Sequence, residues 1–488
     1  MKTINYYALL ALLLMMGGLT MQAQNRELPT EYWTDIVTEQ PEGYVVDGNG
    51  DVHIYTAEAL AWLSVVSNGF NGQEIDVFEG RTVSIEANVD MSSALWIPIC
   101  GVVGHPAFRG SFDGKEHVID HIQMVWVSGY YFGFFGMLFE ATLSNVVMRN
   151  GYFEGGYDAG FFAFKAIKTH IDHCFVECEI HRGVQECVPF VHFNIGSTIS
   201  NSLAYCPLLQ SEDWSGNGVG GAFVAESLLY NGDTTLPQII NCASIVGQMT
   251  WTEQCGFVGN INHGLIENCY VYIEEMLNFT GYAPGPGPRN GITRDNEGEI
   301  YNCYFNRIRN HDYPTYTNYY IYLDDSPGEG GIIQNTKPYV EEGRGQWKLI
   351  EEISFELNNG TVSTDDLLDA LNFKIQELDD ETLLNWCDTG MDIDNQFLPV
   401  LCDFDVTEAG ENPVPDNHVE VFPNPASEVV CVEGVEADEV QVFNALGQRV
   451  KTVCDTNEIP VADLPQSIYL LRIAAAEGRV FITKVLVR

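Results

Sequence analysis

The chain has 488 residues, 45% of them hydrophobic, which is too long for one compact core and too apolar for a disordered polymer. Against 68 acidic residues stand only 23 basic ones, a formal net charge of -45. A field of that sign repels phosphate backbones and anionic headgroups and argues against nucleic-acid binding; it also favours solubility.

The N-terminus carries Lys2, an apolar stretch from Ala8 to Leu19 and then Thr20-Met21-Gln22-Ala23-Gln24, the pattern of a signal peptide (residues 1–23) cut after Ala23. Its apolar run falls short of the roughly twenty residues that span a bilayer. No cysteine near the cut suggests a lipid anchor, and no later run predicts a membrane-spanning segment. After the turn Asp47-Gly48-Asn49-Gly50-Asp51, Thr56 is placed to N-cap a helix ending at Asn68-Gly69, a cover for the raw end of a stacked structure.

The middle of the chain is a repeat. Leu143-Ser144-Asn145, Ile171-Asp172-His173-Cys174, Ile199-Ser200-Asn201-Ser202, Ile239-Ile240-Asn241-Cys242, Ile266-Glu267-Asn268-Cys269 and Ile300-Tyr301-Asn302-Cys303 write one phrase six times, with Ile119-Asp120-His121 read as an earlier copy. From Asn145 to Asn302 the steps are 28, 28, 40, 27 and 34 residues, a unit of 27 or 28 with two insertions. A second phrase precedes each: Gly133-Phe134-Phe135-Gly136, Gly160-Phe161-Phe162-Ala163, Val188-Pro189-Phe190-Val191, Gly221-Ala222-Phe223-Val224, Gly256-Phe257-Val258-Gly259 and a weaker Asn290-Gly291-Ile292. Units this short, built of β-formers and turn residues, hide their apolar face only by stacking on their neighbours. The expected fold is all-β: a right-handed parallel β-helix with an N-terminal cap helix, its hand set by the usual sense of parallel crossovers. Asn145, His173, Asn201, Asn241, Asn268 and Asn302 would form a ladder in a tight turn. Four of the thirteen cysteines hold one position in the phrase, which suits stacked core thiols, although disulfides between coils stay open.

Beyond the repeat, Ser363 to Asn372 reads as a capped helix, and Trp386 to Leu401 as a segment able to close the last coil. Glu408 to Asn417 is a Pro/Gly/acid-rich linker. The last 70 or so residues alternate short β-rich segments with turns at Gly447 and Pro465, which suits a small sandwich.

Two resemblances rest on these residues. Thr56-Ala57-Glu58-Ala59-Leu60, Asn68-Gly69, Trp96-Ile97-Pro98-Ile99, Phe108 to Ile119 and Phe134-Phe135-Gly136 resemble the GLUG-motif β-helix proteins of Bacteroidetes and Firmicutes, across roughly residues 50–405. That likeness implies an adhesin-like surface protein without agreed catalytic residues. More sharply, Val419 to Ala426 with Pro423, Asn424 and Pro425, then Val440 to Val450 with Gly447, then Leu464 to Ile473 with Tyr469, and the terminal Lys484 to Arg488 resemble the type A sorting domain of type IX secretion. It implies an immunoglobulin-like β-sandwich that docks on the outer-membrane export machinery. The domains expected are 24–405 for the helix with its caps, 406–417 for the linker and 418–488 for the sorting domain.

Three groupings carry chemistry worth weighing. His170, His173, Cys174, Cys178, His181 and Cys187 are zinc-ligand types, but alternate strand positions face opposite ways. Asp47, Asn49, Asp51 and Glu58 have calcium-loop spacing, with Val52 where that loop needs Gly. No cofactor is therefore expected. Glu177 and Glu179 share a strand face near Arg182, the type of pair a sugar-cleaving enzyme needs. Against them stand loops rich in aromatics, Trp214 in one insertion, Tyr313, Tyr316, Tyr319 and Tyr320 in another, and the Pro284 to Pro288 loop. Flat rings on loops of a rigid scaffold suit glycan or host-protein ligands. The reading is a secreted or cell-surface binding protein; the alternative is a carbohydrate-active enzyme, a polysaccharide lyase or glycoside hydrolase, on the same scaffold.

Overall fold

The computed structural model describes residues 28–487 apart from 184–185, 212–218, 231–233, 251–252, 255, 278–291, 307–330, 344–345, 359, 388–391, 394–395, 403–419, 423–425, 427–428, 434–436, 444–448, 455, 463, 465–466 and 476–479. It divides into two units, residues 1–409 and 410–488.

In the first unit the chain winds through three parallel sheets once per coil. His170–Asp172 lies in sheet I, Phe175–Gly183 in sheet II and Val191–Ile195 in sheet III, and each pairs in parallel with its counterparts one coil before and after. This is a parallel β-solenoid. Sheet I runs from Tyr44–Val46 to Ile332–Gln334, sheet II from Val89–Asp90 to Gly360–Asp366, and sheet III from Phe135–Phe139 to Thr293–Asn296.

The repeat phrase is explained by what its positions must do. Its isoleucines, Ile171, Ile199, Ile239, Ile266 and Ile300, stack in the core with no exposed surface. Asn145, His173, Asn201, Asn241, Asn268 and Asn302 come next, at the corner between sheets I and II, with φ between 44° and 56°. Among residues with a side chain, asparagine enters that left-handed region at least cost. The phenylalanines of the second phrase, Phe162, Phe190, Phe223 and Phe257, form a stacked column with centroids 4.8, 4.5 and 4.8 Å apart. The glycines of that phrase are fixed by crowding: a Cβ on Gly133, Gly160 or Gly221 would lie within 2.4 Å of a backbone oxygen.

One copy is out of register. Ile119-Asp120-His121 does not align with Leu143-Ser144-Asn145; Ile119 pairs with Met148 and Asp120 with Arg149 in sheet II. The counterpart of Leu143-Ser144 is Phe112-Asp113. His121 instead shares with Asn150 a second left-handed bend, at φ of 55° and 51°.

The N-terminal helix spans Ala57–Asn68, with the Thr56 hydroxyl accepting from Ala59 N and Gly69 closing it at φ 69°. Its buried residues join the core of the first coils. At the other end the chain leaves the parallel pattern in two antiparallel strands, Gln346–Leu357 and Gly360–Asp366. The helix expected from Ser363 therefore starts only at Leu367: pairing with Gln346–Leu357 keeps Ser363 extended, and Asp366 is the N-cap. This second helix, Leu367–Leu378, with the segment to Leu401, does not close the last coil. It folds back as a strap along the flank of sheet II, where Leu367, Leu371, Trp386 and Leu401 bury Leu203, Ile245, Tyr270 and Tyr304. A disulfide, Cys387–Cys402, ties the strap's end.

In the second unit, Glu420–Phe422, Val429–Glu433 and Glu458–Pro460 form one antiparallel sheet; Ala437–Phe443, Arg449–Cys454, Ser467–Ala475 and Val480–Val487 form another. Val430, Val432, Val440, Val442, Ile459 and Leu471 make a common core, joined by Tyr469.

Candidate functional site

The outer face of sheet II is divided. Its C-terminal part is apolar and lies beneath the strap. Its N-terminal part carries Asp120 opposite Arg149, with Glu177 feeling the charge of both, and then Tyr152 opposite Glu179 and Glu154 opposite His181. The charged groups are joined to one another: His181 Nε2 lies 3.0 Å from Glu179 Oε2, the Tyr152 hydroxyl donates to Glu154 at 3.1 Å, and the Tyr152 and His181 rings meet at 4.8 Å. Arg149 lies over the Phe175 ring at 5.4 Å. Burial pushes the Glu177 carboxyl above its ordinary range; Arg149 draws it back, and Asp120 and Glu179 add to the rise.

The corner between sheets I and II is tied to the strap by the asparagine column. Asn145 Nδ2 donates to Asp113 at 3.0 Å, Asn145 Oδ1 lies 2.9 Å from His173 Nδ1, and Asn201 Nδ2 donates to Asp172 at 2.8 Å. Asn241 donates to Asn201 at 2.8 Å and Asn268 to Asn241 at 2.9 Å. Three of them also bind strap atoms: Asn201 holds Thr382 O and Leu384 N, Asn241 holds Leu384 O and the Trp386 indole N–H, and Asn268 holds Leu371 O. Sequence reasoning missed a second column at the end of sheet III, where Asn262 donates to Asn296 at 2.9 Å and brackets Gly264. The signal was present as Asn194-Ile195-Gly196, Asn262-His263-Gly264 and Asn296-Glu297-Gly298.

The zinc-type residues do not converge. Cys174, Cys178 and Cys187 are buried, His170 is exposed, and His181 is on the outer face of sheet II. Burial raises the thiols of Cys174, Cys178, Cys269 and Cys303 well above their usual range, so these cysteines are packed and inert. At the calcium-like spacing, Asp47 accepts Asn49 N and Asp51 N, and Asp51 accepts Thr82 N at 2.7 Å. Those carboxylates hold a turn to the next strand. Among the described residues no group of three or more His, Cys, Asp or Glu is placed to hold a metal ion.

Several expected residues fall outside the described ones: Trp214, Tyr313, Tyr316, Tyr319, Tyr320, the Pro284 to Pro288 loop, Pro423, Asn424, Pro425, Gly447 and Arg488. So do the expected signal peptide, the expected linker 406–417 and the Lys484 and Arg182 side chains. Tyr469 is buried in the core of the second unit. No helix among the described residues is long and apolar enough to cross a membrane.

Among solved structures, the chain is similar to an IgA1 protease at a TM-score of 0.37 and 15% identity, over 62% of this chain and 23% of that one. It is also similar to a Bacteroides ovatus protein assigned as an immunoglobulin A1 protease, at 0.35 and 14%, over 59% and 84%. The chain thus spans under a quarter of the first of these, and at such scores neither likeness bears on activity. No curated protein matches the chain. Residues 420–488 match the secretion system C-terminal sorting domain, the signal of type IX export, which makes this a secreted or cell-surface protein.

Proposed function

We propose that this is an adhesin-like binding protein of the outer surface of a Bacteroidetes-type bacterium, delivered by the type IX machinery through residues 418–488 and presenting its β-helix to glycan or host-protein ligands. The observation that carries this reading is the arrangement of the polar half of sheet II. On this outer sheet face the histidine and the tyrosine are each paired with a carboxylate, in Glu179–His181 and Tyr152–Glu154. That is how a rigid recognition surface is built.

The carbohydrate-active enzyme remains a second reading because of Glu177. A carboxyl raised by burial beside a second carboxylate, Glu179, is the starting point for general-acid chemistry on a glycosidic bond. One experiment separates the two: the exported full chain is applied to glycan and host-glycoprotein arrays and, in parallel, to polysaccharides assayed for new reducing ends or unsaturated products. Retained binding without product is expected. Product formed without retention, and lost in Glu177→Gln, would replace the binding protein with the enzyme. Export is tested separately: deleting residues 420–488 is expected to strand the chain inside the outer membrane.

A further inference from the structure

The outer face of sheet III is built unlike a solvated sheet. Met137, Lys165, Phe193 and Glu226 succeed one another across four paired strands, and Asn260 on the fifth donates to Glu226 at 2.7 Å. Beside them the rings of Tyr131, Phe164 and His192 form a column, with centroids 4.9 and 5.1 Å apart and planes within 23° and 19° of parallel. Phe193 meets His192 edge-on at 4.1 Å and carries the Lys165 ammonium over its ring at 4.8 Å. Phe193, Tyr131, Lys165, Glu226 and Asn260 all keep part of their surface in solvent.

Carboxylates border these rings. Asp158 and Glu186 precede the paired bridge strands Ala159–Gly160 and Cys187–Val188, one coil apart, and both bear electrostatically on Glu226. His192 lies beneath with no exposed surface, and neither ring nitrogen has a hydrogen-bond partner; Nε2 faces Glu186 Oε2 at 3.4 Å. A buried imidazole left this way forfeits hydrogen bonds it had in water. Glu186 stands between that imidazole and the surface.

Apolar ring faces flanked by acceptors and donors at the spacing of one coil complement a molecule that is itself apolar on its flat faces and hydroxylated on its rim, which describes a sugar ring. The sign of the site narrows the class. Three carboxylates on a chain of net charge -45 repel uronates and sulfated sugars. Burial holds the Glu226 carboxyl above its usual range, with Glu186 and Asp158 adding to the rise and Asn260 and His192 opposing it.

We propose that the outer face of sheet III around Tyr131, Phe193, Glu186 and Glu226 binds a neutral glycan chain, its sugar rings packed on the two aromatics and its hydroxyls donating to the two carboxylates. The site deepens the binding-protein reading and rests on it.

The test is titration of the full chain with chito- and cello-oligosaccharides. Phe193→Ala removes a platform, and Glu226→Gln keeps the acceptor for Asn260 while changing what the rim offers. Each is expected to weaken binding about tenfold, with an unchanged unfolding midpoint, while Thr142→Ala on the outer face of sheet I leaves it intact. Oligosaccharide binding that both variants preserve overturns the site and leaves the proposed function standing. So does binding to host glycoproteins alone. Loss by the same variants of binding to heparin, alginate or poly-lysine, without binding of neutral sugars, overturns the ligand class. A chain that retains no glycan or glycoprotein at all sinks both readings.

Discussion

Asn241 joins the coil stack to the strap by two hydrogen bonds, and replacing it separates backbone cost from hydrogen-bond cost. Its side chain has no exposed surface and makes four hydrogen bonds: to Asn201 Oδ1 and Leu384 O through Nδ2, and from Asn268 Nδ2 and Trp386 Nε1 at Oδ1. In Asn241→Ala two of the four partners keep another bond, since Asn201 Oδ1 still accepts Leu384 N at 2.9 Å and Asn268 still donates to Leu371 O at 3.1 Å. The Trp386 indole N–H and the Leu384 carbonyl are left unpaired, at about 1–3 kcal/mol each. Alanine at φ 56° adds about 1 kcal/mol, which Asn241→Gly avoids. The total is about 3–7 kcal/mol, nearly all borne by the strap. Asn302 is the control: it has the same backbone, φ 49°, but its Nδ2 has no hydrogen-bond partner, so Asn302→Ala costs little beyond the backbone term. A stack of coils opens in segments rather than all at once. The assay is therefore hydrogen exchange at the amides of residues 367–387, expected to speed up by at least about a hundredfold in Asn241→Ala. Equal protection in Asn241→Ala and Asn302→Ala would refute the claim that the ladder holds the strap.

Three further outcomes are expected from the same packing. Replacing Cys387 and Cys402 with serine opens a loop of 15-residue separation, worth about 3 kcal/mol in chain entropy; proteolysis under native conditions is expected to cut residues 367–402 of the variant first, as it does the reduced parent. Glu86 is buried enough for desolvation to raise its carboxyl, yet hydrogen bonds from Lys115, His53 and Ser84 outweigh this and hold it at about 2. Its stabilisation is complete above the usual carboxylate range and is lost as pH falls from about 4.5 towards 2, so an acid titration should unfold Glu86→Gln with less pH dependence than the parent across that window. Phe223→Ala removes the ring between Phe190 and Phe257 and is expected to cost about 3–5 kcal/mol, read as a lower denaturant midpoint, whereas Phe223→Leu should recover most of it.

How far the fold was legible depended on whether a position's demand was local. Asparagine in the left-handed corner, isoleucine before it and phenylalanine in the second phrase each answer a requirement that recurs every coil, so the sequence repeats them and stacking is the outcome. Ile119-Asp120-His121 imitates the phrase and still belongs elsewhere, because its register is set by pairing with Met148 and Arg149, which a short motif does not encode. The strap was visible as a helix and an apolar tail, but periodicity says that a segment is buried and not against what; its target is a patch of outward aromatics and aliphatics, among them Tyr270, Tyr304 and Ile245, that reads like any sheet face. The sheet III face was illegible for the same reason: Lys165, Phe193, Glu226 and Asn260 are separated by 28 to 34 residues and meet only through register.

The strap accounts for the change in the asparagine column along its length. Asn145 and His173 are partly exposed and bond to Asp113 and to each other, whereas Asn201, Asn241 and Asn268 are buried and spend donors and acceptors on strap backbone. One repeated residue thus serves two purposes, a turn former throughout and an anchor where the flank is apolar. Lys374 joins the same seam: burial would lower its ammonium, but ion pairs with Glu377 and Glu267 overcome that and hold it raised. Its contribution is present below the ordinary lysine range and fades only as alkali passes the raised value. The strap thus closes the C-terminal flank of sheet II, and the surfaces proposed to meet ligands, sheet III and the N-terminal coils of sheet II, are ones outside that apolar seam.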